Sequence, residues 1–309
     1  MSSAEELLPD VESVRRGLDQ TGYLADDALS TALFLSARMG QPILLEGEPG
    51  VGKTQAAKAL AEMLDTPLLR LQCYEGLTAA EAIYEWNYPR QLLSIRLAES
   101  RGQALADSDL FTDEYLLTRP LLAAISHPGP RPAVLLIDEV DRADDEFEAF
   151  LLELLADAAV TIPELGTRRA VVPPLAVLTS NRTRDLHDAL KRRCLYHWIT
   201  YPDTARVEDI VRRRVPGVAD WLATQVAESV RRMRGLELDK PPGVSEAISW
   251  ATALQVLGVR SLDADAADRT LGTVLKYDED QQTARAAGLA KLAGAGHGAS
   301  AGPSGVDSR

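Results

Sequence analysis

Short apolar runs alternate with helical patterns over the first 200 or so residues of the chain. Each run is continuously apolar rather than alternating, which is typical of strands covered on both faces in a parallel sheet. Between the runs, apolar residues recur at helical spacing in Gln55–Leu64 and Phe147–Leu155. The pattern predicts an α/β core with a parallel five-stranded sheet. The predicted strands are Pro42–Glu46, Pro67–Cys73, Ala133–Ile137, Leu175–Ser180 and Cys194–Thr200.

The pattern changes after Tyr201, where only helical periodicity remains. Four stretches predict helices, separated by Gly/Pro breaks. They are Val207–Arg214, Val218–Met233, Val244–Leu257 and Leu262–Leu275. From about Ala286 the chain is rich in Ala, Gly and Ser, which predicts a disordered tail. The predicted organisation is therefore an αβα core over residues 1–201, a smaller all-helical domain over 202–285 and a tail over 286–309.

The segment Gly47–Thr54 (GEPGVGKT) fits the pattern G-x-x-x-x-G-K-[ST] between a predicted strand and a predicted helix. Its glycines allow the backbone to close around phosphates, and the following helix directs its positive dipole end at the same anions. Lys53 is predicted to contact the β- and γ-phosphates of ATP, and the Thr54 hydroxyl to ligate Mg²⁺. The predicted nucleotide-binding residues are Gly47, Glu48, Pro49, Gly50, Val51, Gly52, Lys53, Thr54 and Asp138.

Two carboxylates, Asp138 and Glu139, end the apolar strand Ala133–Ile137. Asp138 is predicted to hold Mg²⁺ opposite Thr54, and Glu139 to deprotonate a water for attack on the γ-phosphate. Attack by water predicts an ATPase rather than a kinase. The alternative is that Glu139 is only an acid of a helix's first turn.

Three further polar residues are candidates for catalysis. Asn181 follows the strand Leu175–Ser180, where its amide can position the attacking water; its alternative reading is a turn former. Arg192 and Arg193 precede the last predicted strand, from which an arginine can reach a neighbouring subunit's ATP site. The alternative for these arginines is a surface salt bridge.

Composition and charge narrow the classes of partner. The net charge is −13, which disfavours nucleic acid, and the basic clusters Arg212–Arg214 and Arg231–Arg234 are more simply solvated helix faces. The two cysteines and four histidines are scattered, so no metal other than Mg²⁺ is predicted. The sequence lacks a run long enough to span a membrane and an apolar stretch behind a basic start, so a cytoplasmic location is expected.

The order of GEPGVGKT, LLIDEVD, TSN and DALKRRC resembles the AAA+ superfamily. Within it, DEVDRADDEFEAFLLELLAD followed by TIPELGTRRAVVPPLAVLTSN is similar to the MoxR branch. The stretch Tyr84–Arg96 (YEWNYPRQLLSIR) further resembles the CoxD-type subgroup associated with carbon monoxide dehydrogenase and related molybdenum hydroxylases. The resemblance covers about residues 20–280.

This resemblance implies a P-loop AAA+ core followed by a helical lid, and a homo-hexameric ring with ATP between subunits. It also implies a chaperone-like ATPase that acts on a protein substrate, matures or activates a metalloenzyme, and works with a von Willebrand factor A domain partner. The matching positions make Asn181 the sensor and Arg193 the arginine that acts on the neighbouring subunit. The segment Tyr74–Leu77 would face the ring's channel, where Tyr74 or Leu77 would touch a substrate unless both are core residues.

The sequence departs from the branch at the lid. A G-x-S-P-R-A segment there carries a nucleotide-sensing arginine, whereas this chain has Gly243–Ala247 with Glu246 in the arginine's place. A carboxylate repels phosphates, so we expect no contact between Glu246 and nucleotide, with Arg260 as one possible substitute for the sensor.

Two other functions remain open from the sequence. A nucleic-acid motor or clamp-loader-like ATPase would share the same core, although the acidic balance argues against it. A small-molecule P-loop kinase is disfavoured by Asp138-Glu139 and by the helical domain that follows.

Overall fold

A computed structural model describes residues 8–103 and 105–294 of the chain. The chain divides into two compact units. Unit 1 contains the described residues up to Glu48 together with Lys53–Thr200, and unit 2 contains Pro49–Gly52 together with the described residues from Tyr201 onward. No helix among the described residues is long and apolar enough to cross a membrane.

Unit 1 is built on a parallel five-stranded sheet in the order β2-β5-β8-β1-β9. Its strands are β1 (Ile43–Glu46), β2 (Leu68–Gln72), β5 (Val134–Asp138), β8 (Leu175–Ser180) and β9 (Leu195–Trp198). Every residue of β1, β5 and β8 is buried, as their continuous apolar runs require. The predicted fold class and the five strands are confirmed, with bounds that differ by one or two residues at several ends.

Helices surround this sheet. In chain order they are α1 (Val11–Gln20), α2 (Asp27–Met39), α3 (Lys53–Met63), α4 (Ala79–Ile83), α5 (Tyr88–Ser100), α6 (Asp107–Leu110), α7 (Pro120–Ile125), α8 (Asp145–Asp157) and α9 (Asp188–Arg193). Carboxylates cap several of them: Asp10 begins α1 and Asp144 begins α8, each by accepting a backbone N–H of the first turn. Short 3₁₀ turns occupy Asp113–Tyr115 and Val140–Arg142.

Two antiparallel pairs of strands depart from the predicted alternation of strands and helices. They pair β3 (Tyr84–Trp86) with β4 (Leu116–Thr118), and β6 (Ala159–Ile162) with β7 (Gly166–Arg169). β7 (GTRR) is polar and largely exposed, so hydrophobic periodicity gives no sign of it. Helix α5, between β3 and β4, buries only Gln91 and Ala98 and exposes apolar side chains. Those exposed on α5 are Tyr88, Leu92, Leu93 and Leu97.

Unit 2 consists, beyond Pro49–Gly52, of helices around a second apolar core. The helices are α10 (Thr204–Arg214), α11 (Asp220–Arg234), α12 (Val244–Val256), α13 (Ala264–Val274), α14 (Asp278–Ala287) and α15 (Leu289–Ala293). The fully buried Trp250 lies in this core and donates its indole N–H to Thr270 Oγ1 at 2.7 Å.

The end of the helical region lies beyond the predicted boundary at residue 285. Helix α14 continues to Ala287, and α15 buries Leu292 and Ala293 in the core of unit 2. These apolar side chains are interspersed with small residues, and the composition therefore suggested a tail. Residues 295–309, the rest of the predicted tail, lie outside the described residues.

Both cysteines are free thiols. Burial raises the pKa of Cys73 and of Cys194 to about 12 in each case. The nucleophilic thiolate form is therefore scarce at neutral pH, and neither thiol is suited to catalysis.

Candidate functional site

Lys53 is a buried ammonium at the start of α3, one loop beyond the carboxyl end of β1. Its Nζ donates hydrogen bonds to the backbone oxygens of Gly47 at 2.7 Å and Glu48 at 2.8 Å. Burial lowers the pKa of Lys53, while nearby carboxylates, Asp141 first among them, oppose that shift. The ammonium is thus held at the carboxyl end of the sheet.

Asp138, the last residue of β5, is a buried carboxylate that meets Thr54 from α3. The Thr54 hydroxyl donates to Asp138 Oδ1 at 2.9 Å. Thr179 of β8 donates its own hydroxyl to the same oxygen at 2.6 Å, and accepts the backbone N–H of Glu139 at 2.9 Å. Thr179 therefore joins the acidic end of β5 to the neighbouring strand.

The second oxygen of Asp138 accepts hydrogen bonds from an arginine of the edge strand β2. Arg70 donates to Asp138 Oδ2 from Nε at 3.0 Å and from Nη2 at 2.6 Å. Arg70 also contacts the side chain of Gln72. The Arg70 side chain is 45% exposed whereas that of Asp138 is 3% exposed, so a solvent-facing cation neutralises a buried carboxylate.

Glu139 adopts a left-handed backbone conformation, with φ 55° and ψ 51°. Few residues other than glycine adopt it, and it costs about 1–3 kcal/mol unless the surroundings hold it. Here the N–H bond to Thr179 holds the backbone, and Arg142 Nη1 lies 3.2 Å from Glu139 Oε2. The predicted general base is thus an ion-paired carboxylate, one third exposed.

Asp141 ties the loop that contains Asn181 to the end of β5. Its Oδ2 accepts the backbone N–H of Asn181 at 3.2 Å, and the N–H and hydroxyl of Thr183 at 2.8 and 2.7 Å. Its Oδ1 is buried and has no hydrogen-bond partner among the described residues. A buried unpaired carboxylate oxygen is costly, so Asp141 Oδ1 is an acceptor available to a donor bound in the site.

Glu46, the last residue of β1, is a further buried carboxylate that immediately precedes Gly47. Its Oε2 accepts the Tyr196 hydroxyl at 3.0 Å and lies 3.8 Å from Arg182 Nε. Arg182 also lies 5.8 Å above the ring of Trp198, which pairs with Glu46 in the sheet. This contact group anchors the strand end from which the phosphate-binding loop departs.

Arg192 and Arg193 occupy the last turn of α9, before the edge strand β9. Both are exposed. Within the described part of the chain, neither guanidinium has a hydrogen-bond or ion-pair partner, so the alternative of a surface salt bridge finds no support there. Their contribution to a neighbouring subunit's site stays a prediction.

The tip of the phosphate-binding loop, Pro49–Gly52, belongs to unit 2. The Gly50 carbonyl accepts the N–H of Val244 at 3.0 Å. Gly50 has φ +78°, and a Cβ built there would lie 3.1 Å from Gly243 Cα and 3.2 Å from Glu246 Oε2. Only glycine meets both constraints at this position.

Glu246 lies at the start of α12, where its Oε2 accepts the backbone N–H of Gly243 at 3.0 Å and the Ser245 hydroxyl at 2.9 Å. It therefore satisfies an otherwise open backbone donor of the helix's first turn. A helix-capping role explains a glutamate here without nucleotide contact.

Of the two residues predicted to face a channel, Leu77 is buried in the core of unit 1. For Leu77 the core reading therefore applies. Tyr74 is 45% exposed and stays a candidate for contact with a substrate.

Five polar residues of the site were not predicted from the sequence: Arg70, Thr179, Asp141, Arg142 and Glu46. A signal existed for two of them: Arg70 interrupts the otherwise apolar run PLLRLQC, and Asp141 is the fourth residue of DEVD. Thr179 and Glu46 show no pattern in sequence, because their roles depend on which strand ends are neighbours. Arg142 pairs with Glu139 only three residues away, but no motif marks it.

The donor set at Thr54 and Asp138 fits Mg²⁺, which prefers oxygen ligands and usually keeps several waters. The Thr54 hydroxyl gives its proton to Asp138, so its lone pairs remain for a metal ion. No group of three or more His, Cys, Asp or Glu side chains suited to a metal occurs among the described residues. Thr54 would bind Mg²⁺ directly and Asp138 through water, so that the ion neutralises phosphate charge.

Fold and site together define a P-loop nucleotide-binding protein of the AAA type. Residues 42–194 match the family model of the AAA domain of the dynein-related subfamily. This segment is therefore similar to an AAA domain of this subfamily. AAA domains in general bind nucleotide with Mg²⁺, and residues 42–194 are similar to such a domain.

Two curated relatives are similar at 25% identity. The denitrification regulatory protein NirQ of Stutzerimonas stutzeri aligns over 205 residues, 64% of this chain and 65% of the relative. The protein of the same name from Pseudomonas aeruginosa aligns over 207 residues, 65% of this chain and 70% of the relative. The chain thus spans just under two thirds of the first relative's length.

Solved structures of the Thermotoga maritima RuvB Holliday junction branch migration motor are also similar. One is 18% identical with a TM-score of 0.47 and covers 86% of this chain and 71% of RuvB. A point mutant of the same motor is 19% identical with a TM-score of 0.48, at the same coverage.

Proposed function

We propose that this chain is an ATP-hydrolysing, MoxR-type AAA+ remodelling ATPase that assists the maturation or activation of a metalloenzyme. The observation that carries hydrolysis is the convergence of Asp138, Glu139 and the Asn181 loop at the end of one sheet, through Thr179 and Asp141. The MoxR-type and CoxD-type assignments rest on the sequence motifs. Two relatives named as regulatory proteins are compatible with action on another protein.

In this proposal each polar group has a separate task. Lys53 exchanges its bonds to the Gly47 and Glu48 carbonyls for oxygens of the β- and γ-phosphates. Glu139 leaves Arg142 and accepts a proton from the attacking water, which the Asn181 amide positions. Arg193 of an adjacent copy stabilises the charge that develops on the transferred phosphoryl group.

The assembly that this chemistry needs is a ring. An exposed Arg193 without a partner among the described residues is available to a second copy of the chain. A homo-hexamer, a von Willebrand factor A domain protein and a metalloenzyme substrate complete the proposal. The convergence of Asp138, Glu139 and the Asn181 loop supports an ATP-driven motor. The net charge of −13 disfavours nucleic acid as the substrate.

The test is capture followed by reconstitution. A Glu139→Gln subunit loaded with ATP should retain a von Willebrand factor A domain protein and a subunit of a molybdenum hydroxylase, while a Lys53→Ala subunit should retain neither. The purified components should then activate the metalloenzyme only with wild-type ATPase and ATP.

Three results would contradict parts of the proposal. Absence of ATP hydrolysis by the wild type would remove the enzymatic assignment. Activation of the metalloenzyme without ATP would remove the remodelling role. Strong stimulation of hydrolysis by DNA, with no protein partner retained, would favour the nucleic-acid motor instead.

A further inference from the structure

Asp138 has no acceptor position left for a metal-bound water. A carboxylate offers about four lone-pair positions. Two donors, the hydroxyls of Thr54 and Thr179, use Oδ1, and two N–H groups of Arg70 use Oδ2. For Asp138 to accept a water of Mg²⁺, one of these donors must therefore leave.

Arg70 is the donor that can leave most easily. Its side chain is 45% exposed, so the released guanidinium regains water. Thr179 is buried and also holds the Glu139 backbone, and Thr54 is itself the predicted metal ligand. Arg70 lies on β2, at the edge of the sheet, where β5 is its one neighbouring strand.

We propose that Arg70 is a counter-ion that occupies Asp138 in the nucleotide-free protein and releases Oδ2 when Mg²⁺·ATP binds. Arg70 is then a positioning residue that keeps the carboxylate oriented and its charge neutralised until the metal ion arrives. This inference rests on the proposed Mg²⁺·ATP site. If it is right, the Arg70 guanidinium and the hydrated metal ion compete for one oxygen of Asp138.

The competition has a direction that can be measured. If Arg70 must be displaced, Arg70→Met should lower the Mg²⁺ or Mn²⁺ concentration that half-saturates the complex with a non-hydrolysable ATP analogue. We expect a shift of about 3- to 10-fold. The lost contact is a charge-assisted hydrogen bond, and its contribution is reduced because Arg70 is partly exposed to solvent. Nucleotide binding without metal ion should change less than about 2-fold, because Lys53 and the loop are untouched.

Two measurements distinguish the counter-ion role of Arg70 from a merely structural role. Binding of Mn²⁺ is followed by the loss of its free-ion magnetic resonance signal, and unfolding by thermal melting with and without metal. Arg70→Met should melt earlier than wild type when empty, but should gain more from metal plus analogue. Arg70→Lys, which keeps charge without the two-pronged contact, should lie between wild type and Arg70→Met.

Matched controls are available within unit 1. Arg119 is a similarly exposed arginine whose side chain pairs with Glu85, so Arg119→Met should leave metal half-saturation unchanged. In an Asp138→Asn background, Arg70→Met should have no further effect on metal binding, because the shared carboxylate is gone.

The outcomes are distinct. Unchanged or weaker metal binding in Arg70→Met, with wild-type metal binding intact, would overturn the counter-ion role alone. Loss of nucleotide binding in both Arg70→Met and Arg70→Lys would show a structural role and would likewise overturn it. If the wild type itself shows no metal-dependent nucleotide binding, the proposed function fails first.

Discussion

At the scale of single residues, the site consists of carboxylates whose partners differ. Among the described residues, Asp138 is fully hydrogen-bonded, Glu139 has one ion-pair partner, and Asp141 keeps one oxygen unpaired. A carboxylate that keeps free lone pairs and solvent access can hydrogen-bond an attacking water, whereas one whose lone pairs are filled by donors cannot. Glu139 is therefore better placed than Asp138 to act as a base.

Glu139→Gln should bind ATP normally and hydrolyse it at least about 100-fold more slowly, since a positioned general base is lost. Lys53→Ala should instead lose ATP binding, because the charge that faces the phosphates is gone. Fluorescent-nucleotide titration and phosphate release separate the two defects. Turnover close to wild type in Glu139→Gln would show that another group takes the proton.

The polar residues of the site differ in how directly the sequence predicts them. Lys53, Thr54 and the pair Asp138-Glu139 follow short local patterns, so the chain predicts them directly. Arg70 and Thr179 act across strands that are neighbours only in the order β2-β5-β8, which no local pattern specifies. Their partners could therefore be found only in the folded chain.

At the scale of elements, the loop tip Pro49–Gly52 and the start of α12 constrain each other. The Gly50 carbonyl accepts the Val244 N–H, and the Glu246 carboxylate caps the same helix. The helix start needs a small residue at Gly50 and an acceptor at Glu246. Substitutions at Gly50 and at Glu246 test these two requirements separately.

Gly50→Ala should weaken nucleotide binding strongly, because its Cβ would crowd Gly243 Cα at 3.1 Å and its φ is +78°. Gly22→Ala is the matched control: Gly22 has φ +76°, but its Cβ would meet nothing within 4 Å. Titration and melting of both variants separate crowding from backbone strain. Equal defects in the two variants would mean that strain alone accounts for the loss.

Glu246→Ala should leave ATP affinity unchanged or slightly improved, since relief of repulsion in partly wet protein is worth about 1 kcal/mol or less. It should reduce the free energy of unfolding by about 0.5–1 kcal/mol through the lost cap. Asp263→Ala, which removes the cap of α13, is the control for stability. A large loss of nucleotide binding in Glu246→Ala alone would assign it a role at the nucleotide.

Burial explains which strands and helices could be predicted from the sequence. Strands β1, β5 and β8 are buried on both faces, and their apolar runs show it. Strand β7 lies largely at the surface, and α5 has apolar side chains that it exposes. Hydrophobic periodicity indicates which residues are buried, so it could not predict the exposed elements of unit 1.

At the scale of the whole molecule, the arginines at the end of α9 bear on assembly. They adjoin β9, the strand at the opposite edge of the sheet from β2. An edge position and an exposed side chain make Arg193 available to another copy of the chain. The predicted ring places that copy's ATP next to it.

Arg193→Ala should bind ATP but hydrolyse it about 10³-fold more slowly, the low end for an arginine that acts on a neighbouring site. Lys53→Ala should be inactive for want of nucleotide. A mixture of the two should recover activity, because a mixed ring pairs an intact Lys53 with an intact Arg193. The recovery should fade on dilution as rings dissociate.

Arg192→Ala is the control for this experiment. If it shows the defect and Arg193→Ala does not, the neighbouring arginine has the role. Absence of complementation at every ratio, with full turnover in both arginine variants, would remove the intersubunit site and leave the P-loop ATPase.

The contact between Trp198 and Arg182 gives the molecule an optical reporter. Indole emission responds to nearby charge, and the Arg182 guanidinium over Trp198 lies 3.8 Å from Glu46, the residue before Gly47. Arrival of phosphates at that loop should alter the field at the indole and shift its emission. Trp198→Phe should abolish the change, and Trp221→Phe in α11 should preserve it. Loading of the site could then be timed by stopped-flow without any added dye.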